Sequence, residues 1–211
     1  MADIRVELIK YGEKIALSGL VAGAGGNISA RDGKIIWMKP SGFAMDEMKP
    51  DDLCGLDLES GRQIAGMNKP TSEFNMHLAI YRVRPEITAV FHTHSPWASG
   101  VITSGTKLKP MFAEFIGVLE RVTTIPYVTP TTVELASVVE KAAGNHDTIF
   151  MVNHGVLALG RAMQQAFCRC VVAEHAAISQ SAAAVVGKPR FLIAKQQADL
   201  MKLIASSAAG K

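Results

Sequence analysis

Eight residues near the middle of the chain, Ile87-Thr88-Ala89-Val90-Phe91-His92-Thr93-His94, set the first condition on the fold. The run is apolar and β-branched and reads as a buried strand over Ile87–Thr93. On a strand, residues two apart point to the same face, so His92 and His94 project two imidazoles side by side. A tetrahedral zinc ion needs such a pair and a third nitrogen from elsewhere. Asn153-His154-Gly155, at a bend between two expected strands, is the best source. Three histidines with one open position is the usual composition of a catalytic zinc site, whereas a closed structural site wants four ligands, often cysteines. Cys54, Cys168 and Cys170 are badly placed for that. A His-x-His pair also occurs on ordinary strands, so the third histidine decides between the two readings.

The rest of the chain alternates strands with helices. Ile4, Leu8, Ile9, Ile15 and Ala16 follow helical spacing up to Gly19. Three glycines in Gly23-Ala24-Gly25-Gly26-Asn27 make a loop. Ile28–Ala30 and Lys34–Met38 form a hairpin around Asp32-Gly33, and Leu53–Leu58 and Arg62–Ala65 a second one across Ser60-Gly61. Pro70-Thr71-Ser72-Glu73 opens a helix carrying Phe74, His77, Leu78 and Tyr81 on one face, and Pro85 closes it. Further helices are expected over Pro96–Ile102, Val133–Ala143, Met163–Val186 and Phe191–Ala205. Further strands are expected over Val122–Tyr127, Thr148–Val152 and Gly155–Leu159. The sum is a single α/β domain over residues 1–211, a layered α/β/α arrangement with mixed strand pairing.

Composition removes several function classes. The chain has 211 residues, 48% hydrophobic and 19% charged, so a sizeable core forms and disorder is not expected. Its net charge of +3 is spread singly along the chain, which argues against a nucleic-acid partner. No apolar run reaches the ~18–20 residues of a membrane helix, and the start MADIRVELIK is not a signal peptide. Three cysteines without a CxxC pair fit a reducing, cytoplasmic setting.

Glu73 stands at the first turn of the helix leading into the histidine strand. A carboxylate there is a capping or macrodipole residue, or, next to a zinc-bound oxygen, a general base or a displaceable fourth ligand. His77, four residues on, either orients Glu73 or has a core or surface role, and the latter is preferred. His146 and His175 carry no functional assignment. Gly25-Gly26-Asn27, Ser41-Gly42 and Thr71-Ser72 each offer small side chains and free backbone N–H groups. Singly they are turns or caps; jointly they make a neutral phosphate cradle beside the metal. The glycine loop is neither a dinucleotide fingerprint nor a P-loop.

Taken in order over nearly the whole chain, Gly26-Asn27-Ile28-Ser29, Lys39-Pro40-Ser41-Gly42, Pro70-Thr71-Ser72-Glu73, His92-Thr93-His94 and Asn153-His154-Gly155 resemble the class II aldolase/adducin family. The spacing is close to that of its fuculose-1-phosphate aldolases. The resemblance implies a three-layer α/β/α fold with a central mixed sheet and a C4 homotetramer with zinc sites at subunit interfaces. By position, His92, His94 and His154 are the metal ligands and Glu73 is the acid/base. Asn27, Ser41, Gly42, Thr71 and Ser72 hold the substrate phosphate. Mn²⁺ or Co²⁺ could replace Zn²⁺ on imidazole ligands.

The chain departs from the fuculose-1-phosphate pattern in two places. Glu114, in Pro110-Met111-Phe112-Ala113-Glu114, stands where those enzymes place a tyrosine that reaches the neighbouring subunit's site. The C-terminal tyrosine is replaced by the small, apolar tail Ser206-Ser207-Ala208-Ala209-Gly210-Lys211. Both changes argue against fuculose 1-phosphate itself, and the small, apolar tail implies a less polar aldehyde portion, such as that of 5-deoxyribulose or methylthioribulose 1-phosphate. The implied reaction is reversible cleavage of a ketose 1-phosphate to dihydroxyacetone phosphate and an aldehyde, a metal-dependent aldehyde-lyase activity. The nearest alternatives are a methylthioribulose-1-phosphate dehydratase, a 4-epimerase or a decarboxylase on the same scaffold. An adducin-like interaction module is a further one, and the retained histidines argue against it.

Overall fold

The computed structural model describes residues 3–209, with side chains described through residue 206. The reading of the small C-terminal tail therefore falls largely outside the described residues. Helix α1, Ile4–Leu17, starts where the Asp3 carboxylate accepts the Arg5 N–H at 2.9 Å, and it buries Leu8, Ile9, Tyr11 and Ile15. It is followed by β1 (Asn27–Asp32), β2 (Ile35–Met38), a short 3-10 turn (Pro50–Asp52), β3 (Cys54–Asp57) and β4 (Gln63–Ala65). Then come α2 (Phe74–Val83), β5 (Ala89–Thr93), α3 (Pro96–Thr103), α4 (Ala113–Leu119), β6 (Val122–Ile125) and α5 (Val133–Ala143). The last elements are β7 (Thr148–Met151), β8 (Gly155–Gly160), α6 (Met163–Val186) and α7 (Ala194–Ala209).

Three differences from the sequence expectation have local causes. Helix α2 starts at Phe74, after the Thr71-Ser72 pair, because Glu73 occupies the cap position while its side chain turns away from the helix end. Strand β6 stops at Ile125, since Pro126 has no N–H to continue the ladder. Helix α4 was not expected: its seven residues include Gly117 and are too few to display a period.

The eight strands form one sheet in the order β4-β3-β2-β1-β5-β8-β7-β6. Every neighbouring pair is antiparallel except β6 with β7. Helices α2 and α5 cover one face, over Ile36, Met38, Val90, Ile149, Leu157 and Leu159. The other face, with Ile28, Ala30, Phe91, Val156 and Ala158, is covered by α1, α3, α4 and α6. The layers are thus α/β/α, as expected.

At one end of the sheet, Asp147 accepts from Arg84 at 3.0 Å and from Arg121 at 2.8 Å. Buried Arg169 donates to the Val118 and Leu159 carbonyls and pairs with Glu120. These buried charges are matched by partners, as burial demands. The C-terminal end of β5, where the histidines lie, is at the opposite end of the strands.

Candidate metal centre and anion cradle

Strand register places the first site residues. Asn27 on β1 lies directly opposite His92 on β5, and His92 lies opposite Leu157 on β8. Asn27 and His92 therefore share the sheet face that α2 covers. His94 sits just past the end of β5, where the chain turns into α3. Glu174 of α6 holds that turn, accepting the Trp97 and Ala98 N–H groups at 2.9 Å each. These are donors that the first turn of α3 could not otherwise satisfy. His154 lies in the bend between β7 and β8, after Asn153, whose backbone is left-handed at φ 55°. Gly155 follows because no side chain fits there: a Cβ would come within 2.3 Å of the Thr93 carbonyl and 3.0 Å of the His92 ring.

The three rings meet. The centroids of His92 and His94 are 4.9 Å apart, those of His92 and His154 4.7 Å, and those of His94 and His154 5.9 Å. One nitrogen from each lies within 4.8 Å of the others. His92 Nδ1 is 3.1 Å from the Val156 carbonyl, which can only accept, so Nδ1 carries the proton and Nε2 presents a lone pair. That lone pair lies 3.1 Å from His94 Nε2. Burial, partly offset by Glu73, pushes His92 down to about 3, and burial also lowers His94, so both stay neutral at ordinary pH. Neutral, inward-facing imidazoles are the form that binds a metal. Two buried polar atoms beside them, Glu73 Oε1 and His154 Nδ1, have no hydrogen-bond partner among the described residues. The donor set therefore fits a divalent cation, with His154 lying beside the other two rings.

Glu73 closes the cluster. Its Oε1 is 3.2 Å from His154 Nε2 and its Oε2 3.4 Å from His92 Nε2, while Oε2 accepts the Asn27 amide N–H at 2.9 Å. Burial opposes ionisation, but the neighbouring His154, His92 and Asn27 outweigh it and hold the carboxyl well below its ordinary value. The side chain is not a helix cap.

An isolated bridge between Pro40 and Pro70 clamps two of the loops together, with Ser41 N–H donating to the Lys69 carbonyl and Thr71 N–H to the Lys39 carbonyl. The result is a cleft of about 160 Å³ that includes Gly25, Gly26, Asn27, Ser41, Gly42, Thr71 and Ser72 and reaches Glu73 and His94. All three expected loops thus converge beside the histidine cluster. Gly42 has φ +83°, which lets the backbone turn without a side chain in the way. Asn27 lines the cleft, but its amide is engaged with Glu73 and with His77 Nε2 at 2.5 Å.

One group escaped the sequence reading, and one that it weighed is now placed. Lys39 is almost fully buried in the cleft wall, donating to the Ala24 carbonyl at 2.9 Å, and burial pushes it down to about 8. The cradle is therefore not neutral; the only signal was the lysine inside Lys39-Pro40-Ser41-Gly42. His77 is fully buried and joined to Glu73 through Asn27, where the i,i+4 spacing from Glu73 was the signal. Glu114 is exposed in the first turn of α4 and does not line the cleft of its own chain.

This arrangement agrees with what the chain resembles. Residues 6–181 match the Class II Aldolase and Adducin N-terminal domain, and the chain belongs to that family. A 5-deoxy-D-ribulose 1-phosphate aldolase from Bacillus thuringiensis is 34% identical over 200 residues, 94% of this chain and 93% of that one. An L-fuculose phosphate aldolase from Methanococcus maripaludis is 37% identical over 157 residues, 74% of this chain and 84% of that one. A solved L-fuculose 1-phosphate aldolase superposes with a TM-score of 0.88 at 29% identity, covering 99% of this chain and 97% of that one. These relatives are class II aldolases, which are lyases, and the fold and family read from the five ordered motifs are those found.

Proposed function

We propose that this protein is a zinc-dependent aldolase that reversibly cleaves a ketose 1-phosphate to dihydroxyacetone phosphate and an aldehyde. One observation carries the reading: a single cleft joins a buried carboxylate, His94 of the three converging imidazoles and a cradle of backbone N–H groups with one lysine. A divalent metal held by His92, His94 and His154 would supply Lewis-acid stabilisation of the negative charge that develops as the C3–C4 bond breaks. Glu73, ionised at rest, takes the C3 proton in condensation; in cleavage it first gains a proton from solvent and then delivers it to C3. It also suits a displaceable fourth ligand, since its Oε1 has no hydrogen-bond partner. Ser41, Gly42, Thr71, Ser72 and Asn27 receive the phosphate, and Lys39 adds the charge that a dianion favours. Fixing the phosphate orients the reacting carbons.

The substrate class we favour is 5-deoxyribulose or methylthioribulose 1-phosphate, ahead of fuculose 1-phosphate. It is supported by the relative named for 5-deoxy-D-ribulose 1-phosphate and by Glu114 standing in place of a tyrosine. Glu114 lies outside its own chain's cleft, so its role is to serve a neighbouring copy in a cytoplasmic homotetramer, handling the proton on the C4 oxygen. The test is condensation of dihydroxyacetone phosphate with lactaldehyde, acetaldehyde, glycolaldehyde and methylthioacetaldehyde on the zinc-loaded protein. Acetaldehyde and methylthioacetaldehyde are expected to be consumed fastest. Failure to consume dihydroxyacetone phosphate with any of the four refutes the reading. In the cleavage direction, a diketone product would mean a dehydratase and released CO₂ a decarboxylase.

A further inference from the structure

Behind Glu73 and Asn27 stand three buried polar groups, Ser29, His77 and Tyr81, that neither metal binding nor phosphate binding uses. Asn27 and Ser29 are two apart on β1 and face α2. Glu73, His77 and Tyr81 are four apart on the α2 face that meets them. The two spacings mesh into one chain: Tyr81 Oη lies 2.9 Å from Ser29 Oγ, Ser29 Oγ 2.7 Å from His77 Nδ1, and His77 Nε2 2.5 Å from Asn27 Oδ1. Asn27 Nδ2 then donates to Glu73 Oε2 at 2.9 Å. Ser29, His77 and Tyr81 are each at most 1% exposed.

The direction of every bond is forced. An ionised Glu73 can only accept, so the Asn27 NH₂ faces it and Oδ1 faces His77. His77 must therefore carry its proton on Nε2 and a lone pair on Nδ1. Ser29 O–H then donates to Nδ1, and Tyr81 O–H donates to Ser29. If the Asn27 amide turned over, its oxygen would face the carboxylate and the donor would be lost.

We propose that His77, backed by Ser29 and Tyr81, is a positioning residue that fixes the Asn27 amide with its NH₂ toward Glu73 and so holds that carboxylate in one orientation. The proposal rests on Glu73 as the acid/base of the reading above. Both ring nitrogens of His77 are paired in one directed series that ends on Glu73, and such series strengthen one another in a low-dielectric interior.

Two measurements test it, one independent of turnover. Imidazole ¹⁵N NMR of the protein, metal-free and zinc-loaded, is expected to show His77 as the Nε2–H tautomer, with Ser29→Ala releasing it into a mixture. An Nδ1–H tautomer in the unaltered protein overturns the proposal whether or not a substrate has been found. With 5-deoxyribulose 1-phosphate as substrate, His77→Leu should lower kcat by about a hundredfold with KM within about twofold and zinc content unchanged. Ser29→Ala should lower kcat by about tenfold. His77→Gln, whose amide can both accept and donate, should regain part of the loss. A folded, zinc-loaded His77→Leu protein with unchanged kcat overturns the proposal, as does an equal loss in the Gln and Leu variants.

Discussion

Glu73 and Lys39 show how one cleft sets opposite charges a short way apart. Glu73 is kept ionised by its neighbours despite burial. In the aldolase reading, Glu73→Gln keeps the shape and the Asn27 contact but removes the base. It should retain zinc while turnover falls about a thousandfold; metal analysis and single-turnover kinetics check this, and full activity would refute the role. Lys39 is pushed down to about 8 by burial, so it is cationic below that pH and neutral above it. Phosphate affinity should hold up to about pH 8 and weaken as pH rises further, seen as a rising KM. In Lys39→Met the KM should be about tenfold higher throughout and its alkaline rise should vanish. A rise that persists in that variant would place the titrating group elsewhere.

The joint between β5 and β8 is the element on which the histidine cluster depends. Gly155 permits it, because the backbone of β5 passes where a side chain would stand. Gly155→Ala should push the two strands apart, cost about 1–3 kcal/mol of stability and weaken zinc binding; denaturant melts and zinc titration would measure both. Normal zinc affinity in that variant would mean the strands adapt. Much at this scale could be read from the sequence. The 24-residue α6 spans the expected Met163–Val186, and the hairpin read around Asp32-Gly33 formed with its turn one residue on, at Gly33-Lys34, because each carries its own periodic or turn signal. Helix α4 carries none; Phe115 and Leu119 are its buried positions, and Gly117 lies against Ile204 of α7, a contact from far along the chain. The site was legible where chemistry and spacing coincide, as at His92 and His94. Lys39 was not, because nothing local says that its ammonium ends inside a cleft. His77 could be placed on a helix face, but its partners Asn27 and Ser29 come from a strand some 50 positions earlier.

At the scale of the molecule, His94 and His154 stand about 60 positions apart, and a metal would tie together stretches that the unfolded chain leaves independent. Removing it with a chelator should lower the melting temperature by about 5–10 °C if the ion is present at roughly a hundred times its Kd, and added zinc should restore it. A melting curve indifferent to chelator would mean the histidines carry no ion. The bonding of Ser41 and Thr71 has a different consequence. The imidazoles stand on or beside neighbouring sheet strands, whereas Ser41, Gly42 and Ser72 lie on exposed loop backbone joined by the Pro40–Pro70 bridge. In the aldolase reading, such a division lets an ancestral reaction be inherited intact while its appetite for particular sugars drifts, since the tethers assigned to the sugar phosphate can be rewritten without disturbing the anvil assigned to the bond.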